Sequence, residues 1–388
     1  MKNILLLILM LIVFAGCKNE TRLVYNTSQN CVVDVDDSKR FIDISNLFED
    51  KMDVICLETK DECLIADIRK VQYTKDFIFV SDRVSQCVFL FSHSGKYIKR
   101  IGHRGDGPDD YAGMGDFTVA GSNLFISDLY ANKILCYNLR DNSVRSISLG
   151  DVGVDELFSL EPSSLYCISN YRDNKDEGFN LYQLDLATGR LKGILPSDKD
   201  VVKAHSAWGL NRHASRYKEY VSLIYPWDDA IYKVTSDSIS VEMSVRFSNR
   251  FLPERAKYED VSLIMEKYGD RIWGMDNLRD LGSYLLFEYG DGDLRKSAII
   301  NKRTHDCMVA DRFILKKWGG LYITDLEEYN DTCYVMQQAY MLKQLWEATY
   351  SKSDFVDSSV KVKMENICHQ LKDENNPVIF KFQLKKDK

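Results

Sequence analysis

Proline is scarce, with six residues in 388. Proline has no N–H to give to a sheet ladder and is kept out of central strands, so its scarcity leaves room for many unbroken ones. No Cys-x-x-Cys pair occurs, which removes zinc knuckles and thioredoxin-type redox sites. No His-Glu-x-x-His is present, and the six histidines form no close metal pair. The glycine-rich stretch Gly102-His103-Arg104-Gly105-Asp106-Gly107 lacks the Lys-Ser/Thr of a phosphate loop, and no helical pattern follows it. Positive charge is in deficit. A formal net charge of -7 excludes broad electrostatic attraction to nucleic acid. The one long apolar run, residues 4–14, falls short of the roughly 20 residues that a membrane-spanning helix needs.

What the run does fit is a secretory signal. Lys2 supplies the positive start, residues 4–14 the apolar core, and Ala15 and Gly16 the small residues. Cys17 stands where the run stops. Phe14-Ala15-Gly16-Cys17 resembles the bacterial lipobox, and that resemblance implies cleavage before Cys17 and acylation (palmitate or a similar chain) of its thiol and new amine. Several acyl chains on one residue hold a membrane far more strongly than one. Lys18-Asn19-Glu20 partly matches the charged stretch that in Bacteroidota lipoproteins accompanies surface display, so the periplasmic and surface faces both stay open.

The chain is rich in tyrosine and phenylalanine, 22 and 18 residues, which favours strands over helices. Nine cysteines follow Cys17. An exported chain can form disulfides, but most of these cysteines sit inside apolar strand patterns, where a thiol behaves as a small buried hydrophobe. The reading favours mostly free, buried thiols.

Self-similarity is the main signal in the body of the chain. Phe77-Ile78-Phe79-Val80-Ser81-Asp82 precedes Val88-Phe89-Leu90-Phe91, and Leu124-Phe125-Ile126-Ser127-Asp128 precedes Ile134-Leu135-Cys136-Tyr137, with an offset of 46 residues and no gap. Each unit is a hairpin followed by a turn and a third strand. Weaker copies centre on Ile168, Leu223, Leu286 and Val335, at intervals of 42, 55, 63 and 49 residues after Ile126. Propeller blades of four strands take about 40–50 residues each. The expected fold is therefore all-β: a six-bladed β-propeller with short helical insertions near residues 255–268 and 340–371. The segment around Val54-Ile55-Cys56-Leu57 is expected to join Val378-Ile379-Phe380 in one blade and close the ring, which leaves no open sheet edge. The domain plan is a signal peptide at 1–16, a lipidated flexible tether at 17–40 and the propeller at 41–388.

These residues resemble the six-bladed β-propeller lipoproteins of Bacteroidota, distant relatives of NHL-repeat propellers. The likeness is clearest in Ile55-Cys56-Leu57-Glu58-Thr59, Leu64-Ile65-Ala66-Asp67-Ile68 and the loop from Ile101 to Tyr111, and runs from about Phe41 to Leu384. The loop keeps Gly102, Gly105, Gly107, Pro108 and Tyr111 but carries Asp109-Asp110 where the family has Gly-Glu. The resemblance implies an envelope location, with the outer membrane foremost, and no particular reaction.

Asp82 and Asp128 recur at one point of two units, so they are expected to accept backbone N–H bonds in a repeated turn. Candidate ligand-binding residues come from the stretch between the third and fourth units, His205, Trp208, Arg212 and His213, and from Trp227 and Asp228 in the fourth hairpin. Arginine grips carboxylates and aromatics stack on sugars, which suits an anionic or sugar ligand. Two functions stay open. One is a non-catalytic binding or scaffold lipoprotein for a glycan, peptide or envelope partner. The other is a metal-dependent hydrolase or lactonase-like enzyme with a channel site. No catalytic set, metal ligand or cofactor is assigned, although a channel calcium or zinc stays compatible with the pattern. Cys17 is the membrane link, and the oligomeric state has no signature.

Overall fold

The computed structural model describes residues 22–24, 29–171, 178–204, 210–248, 250–323, 326–348, 350–352, 356 and 358–385. The signal peptide, Cys17, His205 and Trp208 lie outside them.

Among the described residues the strands form six sheets. Each is built on a meander of strands that follow one another along the chain, the fourth and fifth carrying added N-terminal strands at their outer edges, except the sixth. There Leu326–Tyr329, Thr332–Gln337 and Val378–Leu384 are joined by Phe48–Cys56 from the other end of the chain, with Phe380 opposite Val54. The first strands of the six sheets are Ile68–Tyr73, Met114–Ala120, Glu156–Phe158, Ala214–Tyr217, Ile272–Asp280 and Leu326–Tyr329. Each lies against the next, and the sixth returns to the first. The chain is thus an all-β, propeller-like body around an axis.

The residue pattern explains the ring. Middle strands such as Phe77–Asp82 and Cys87–Ser92 are apolar on both faces, and almost every residue is buried. Such strands read as continuous hydrophobic runs because a sheet presses on each side. Outer strands such as Tyr97–Ile101 alternate, as a strand with one wet face does. Successive side chains of a strand point to opposite faces. Ile78 and Val80 therefore enter the core between the sixth and first sheets, while Phe79 enters the core between the first and second. Leu124 and Ile126 face that same second core, and Phe125 enters the one beyond. Six such cores fill the six spaces between neighbouring sheets. Each large apolar side chain buried there contributes about 1.5–3 kcal/mol.

Asp82 and Asp128 do what their recurrence predicts. Asp82 accepts from the N–H groups of Ala66, Asp67 and Ser85 at 3.0, 2.6 and 2.7 Å. Asp128 accepts from Ala112, Tyr130 and Ala131 at 3.0, 3.0 and 3.2 Å. In the glycine-rich loop only Gly102 takes a left-handed φ, +73°. Gly105 and Gly107 serve by lacking a side chain: a Cβ on either would stand 2.3 or 2.8 Å from the Asp110 carboxylate, which accepts the Gly107 N–H.

Four α-helices are present among the described residues: α1 (Lys199–Ala204), α2 (Val261–Tyr268), α3 (Ala339–Ala348) and α4 (Ser358–Gln370). The last three match the expected insertions. Asp260 caps α2 by accepting from Ser262 N. The buried Leu342, Trp346, Met364 and Cys368 of α3 and α4 pack on the core between the fifth and sixth sheets. Helix α1 is not visible in the pattern because six residues are too few for a helical period.

One boundary differs from the sequence reading. A tether through residue 40 is not what residues 29–40 form. Gln29–Val33 runs parallel to Ser238–Phe247 on the edge of the fourth sheet, and Lys39–Asp43 runs parallel to Cys307–Leu315 on the fifth. The physical reason is burial: Cys31, Val33 and Val35 are all but fully covered in the core between these two sheets. Seven of the nine described cysteines are buried, in keeping with their place in apolar strand patterns.

Candidate functional site in the axial channel

The first strands bring charged side chains to the axis. Lys70 and Asp116 stand at equivalent points of the first and second sheets, and the Ser81 and Ser127 hydroxyls bond both backbone groups of each residue in the same way. Between these neighbouring strands the two side chains pair, Lys70 Nζ to Asp116 Oδ2 at 2.7 Å. Asp116 Oδ2 also accepts Leu157 N at 2.8 Å, and Lys70 donates to the Leu157 carbonyl at 3.0 Å. Glu156 accepts the N–H of His213 at 2.7 Å. Arg212 Nη1 reaches Glu327 Oε1 at 2.5 Å, with Arg279 Nε 3.9 Å from the same oxygen. Arg279 further donates to the Leu326 carbonyl at 2.6 Å.

Three cations, Lys70, Arg212 and Arg279, thus meet three carboxylates, Asp116, Glu156 and Glu327, in one belt. Burial pulls the Arg212 guanidinium toward the neutral form, but Glu327, Glu156 and Asp116 outweigh it and hold its pKa above the ordinary arginine value. The belt divides the channel into two cavities that share Lys70, Val71, Tyr73, Glu156, Arg212 and Glu327. One, of about 320 Å³, opens at the N-terminal ends of the first strands and is lined by Arg69, Arg83, Asp155, Asn211 and His213. The other, of about 450 Å³, opens at their C-terminal ends. Its wall combines the rings of Tyr73, Phe158 and Tyr329 with Arg216, Lys218, Glu219 and Glu328. Both volumes fall within the roughly 300–1,000 Å³ of small-molecule sites.

The second cavity holds tuned charges. Burial lifts the Glu328 carboxyl to about 7, although the bond from Asp331 N–H and the charge of Lys218 oppose the rise. Burial also lowers the Arg216 guanidinium, which donates to the Ser159 carbonyl at 2.9 Å. Phe158 stacks on Tyr166 with the rings parallel at 4.9 Å, and Tyr73 on Tyr334 at 3.9 Å. Planar aromatic faces beside charged groups suit a ligand that is apolar on one side and polar at its edges.

Of the residues singled out in the sequence, Arg212 and His213 reach the axis. His213 is buried, with Nδ1 3.2 Å from the Ile224 carbonyl, and its Nε2 has no partner among the described residues. Trp227 and Asp228 do not line either cavity. Trp227 packs on the small core under α2 with Leu252, Ala256, Ile264 and Tyr268. Asp228 bonds to the Tyr232 hydroxyl and the Ala230 N–H, and burial raises its pKa. Both lie in the turn that joins the second and third strands of the fourth sheet, Tyr220–Leu223 and Ala230–Val234, away from the first strand, Ala214–Tyr217, which faces the axis. Sequence reasoning missed Lys70, Asp116, Glu156, Arg279 and Glu327. The usable signal was the 46-residue offset that joins Lys70 to Asp116, just as it joins Ser81 to Ser127. Among the described residues no three His, Cys, Asp or Glu side chains are grouped to hold a metal ion, and no helix is long and apolar enough to cross a membrane.

A ring of sheets around a polar axis defines an all-β, propeller-like protein with a divided channel. The chain belongs to the DUF4934 family, a domain of unknown function, whose model matches residues 30–383. No curated protein matches it. Among solved structures it is similar to a Bacteroides fragilis protein described as exported, with a TM-score of 0.70, 17% identity and coverage of 94% of this chain and 100% of that one. At that identity the likeness speaks for the fold. A Bacteroides vulgatus member of the duf4221 family has a TM-score of 0.47 and 10% identity, covering 87% of this chain and 98% of that one.

Proposed function

We propose that this chain is a lipid-anchored envelope protein, a six-bladed β-propeller held to the outer membrane through Cys17, that binds a glycan, peptide or envelope partner without transforming it. The observation that carries the reading is the self-paired belt. Lys70, Arg212 and Arg279 stand against Asp116, Glu156 and Glu327, so the axial carboxylates already have counter-charges. A hydrolase that works through a channel cation needs carboxylates with charge to spare. The larger cavity, with Tyr73, Phe158 and Tyr329 beside Arg216 and Lys218, is the binding site under this proposal. The similar exported protein of Bacteroides fragilis supports the envelope location.

Two experiments test it. Membrane fractionation with mass spectrometry should find a diacyl or triacyl group on Cys17, and Cys17→Ala should release the protein. An intact, unacylated N-terminus on membrane-bound protein sinks the anchor. A glycan and peptide array should give ligands whose affinity drops at least tenfold in Tyr329→Ala or Arg216→Ala. Stoichiometric Ca²⁺ or Zn²⁺ by elemental analysis, lost in Glu327→Gln, would favour the hydrolase instead.

A further inference from the structure

Cys31 and Cys307 come from opposite ends of the chain and meet. Cys31 lies in Gln29–Val33, opposite Val245 of the fourth sheet. Cys307 opens Cys307–Leu315 of the fifth sheet, opposite Ile300. The backbones of these two strands approach each other, and the two thiols are near enough to perturb each other's acidity, Cys31 downward and Cys307 upward. Cys31 Sγ also lies 3.6 Å from the carbonyl of His305, two residues before Cys307. Both belong to the core between the fourth and fifth sheets, Cys31 fully covered and Cys307 at its edge. Other thiols bond elsewhere: Cys63 donates to the Glu58 carbonyl, and Cys87 pairs with the Ser85 hydroxyl.

We infer that Cys31 and Cys307 are a disulfide site, and that the bond staples Gln29–Val33 to the fifth sheet. A disulfide requires two thiols already close, with side chains that turn toward each other, and adjacent strands supply that here. The oxidant is a small or protein disulfide. The partly exposed Cys307 opens it, forming a mixed disulfide and releasing one thiol. The Cys31 sulfur then displaces the second thiol and closes the bond. The pair loses two electrons and two protons, and the oxidant ends as two thiols.

The consequence is mechanical. Residues 29–43 lace the edge of the fourth sheet to that of the fifth through parallel pairing and the burial of Cys31, Val33 and Val35, with no covalent link. Under the anchor reading, a pull from Cys17 passes through Arg22–Val24 to Gln29–Val33, both paired to Ser238–Phe247, and would peel them one hydrogen bond at a time. A Cys31–Cys307 bond passes the pull into the fifth sheet. The part about the anchor rests on the envelope proposal, whereas the bond itself does not.

The full chain, made in a reducing cytosol, is treated with oxidised glutathione, alkylated and digested without reduction. The expected product is one cross-linked peptide pair containing Cys31 and Cys307. Amide exchange over residues 29–33 slows at least tenfold on oxidation, and dithiothreitol reverses it. The inference is overturned if both thiols stay alkylatable, if they pair with other cysteines, or if exchange over 29–33 is the same in both forms. Cys307→Ser should remove the cross-link and the protection together. Its fold is checked by its exchange pattern over Val88 to Phe91. The same mapping on protein taken from the envelope separates the two claims. A bond there supports both, and thiols reduced there but linked by glutathione overturn only the stapled-anchor part.

Discussion

Removing the charge of Glu327 tests whether the belt is structural in the way its geometry implies. Glu327 Oε1 serves Arg212 at 2.5 Å and Arg279 at 3.9 Å, and the three side chains are only 17%, 11% and 9% exposed. Glu327→Gln keeps the volume but leaves two guanidiniums facing each other. Breaking a buried ion pair by taking away one partner costs about 3–5 kcal/mol, because the remaining charge stays desolvated. Arg279 keeps the carbonyls of Leu326 and Leu278, so the loss falls mainly on Arg212 and should lie near the low end, about 3 kcal/mol. Unfolding entropy of about 2.1 cal/mol/K per residue over roughly 350 matched residues converts this to a fall in Tm of about 4 °C. Differential scanning calorimetry at low salt reads it directly. The double variant Arg212→Met with Glu327→Met should recover more than half of the loss, since an apolar pair of similar size replaces a buried ion pair at little cost. A fall of less than about 1 °C in Glu327→Gln would refute the argument, for it would mean that water already solvates Arg212.

Three further outcomes follow from the geometry. Glu328, lifted by burial from an ordinary 4.5 to about 7, keeps in the native chain a proton that the unfolded chain gives up. Its contribution is therefore whole below pH 4.5 and lost as pH rises through 7, and Glu328→Gln should flatten that decline in urea unfolding compared at pH 5 and pH 8. Asp82→Ala and Asp128→Ala each strip the acceptor from three backbone N–H groups, and should cost about 3 kcal/mol each and agree within about 1 kcal/mol by denaturant titration, a large disparity counting against equivalent turns. Gly102→Ala forces a Cβ to 2.9 Å from the Tyr111 ring at φ +73°, whereas Gly189→Ala at φ +70° meets nothing within 4 Å. The first should cost about 2–4 kcal/mol and the second about 1 kcal/mol in the same titration, and equal costs would remove the steric argument.

Much of the sheet structure was legible because middle strands carry their signal locally. Phe77–Asp82 and Asn123–Asp128 are apolar on both faces and end in Ser-Asp, so their repeat, their hairpins and the turn role of the aspartates could be read from spacing. The first strands were not legible. Glu156–Phe158 is three residues long, and Lys70 and Asp116 look solvated when read alone. The candidate site was therefore read only at Arg212 and His213, while Trp227 and Asp228 were drawn to the channel by composition and not by position.

By itself the sequence determined the modules: which residues pair within each hairpin, which carboxylates tie the turns, and that the two chain ends share a sheet. These follow from period-two burial and local hydrogen bonding, which act between near neighbours. Only the tertiary structure decided that Lys70, Asp116, Glu156, Arg212, Arg279 and Glu327 become one belt, and that Cys31 meets Cys307. Those contacts join residues from different sheets, and their energies exist only once closure has withdrawn the charges and thiols from water.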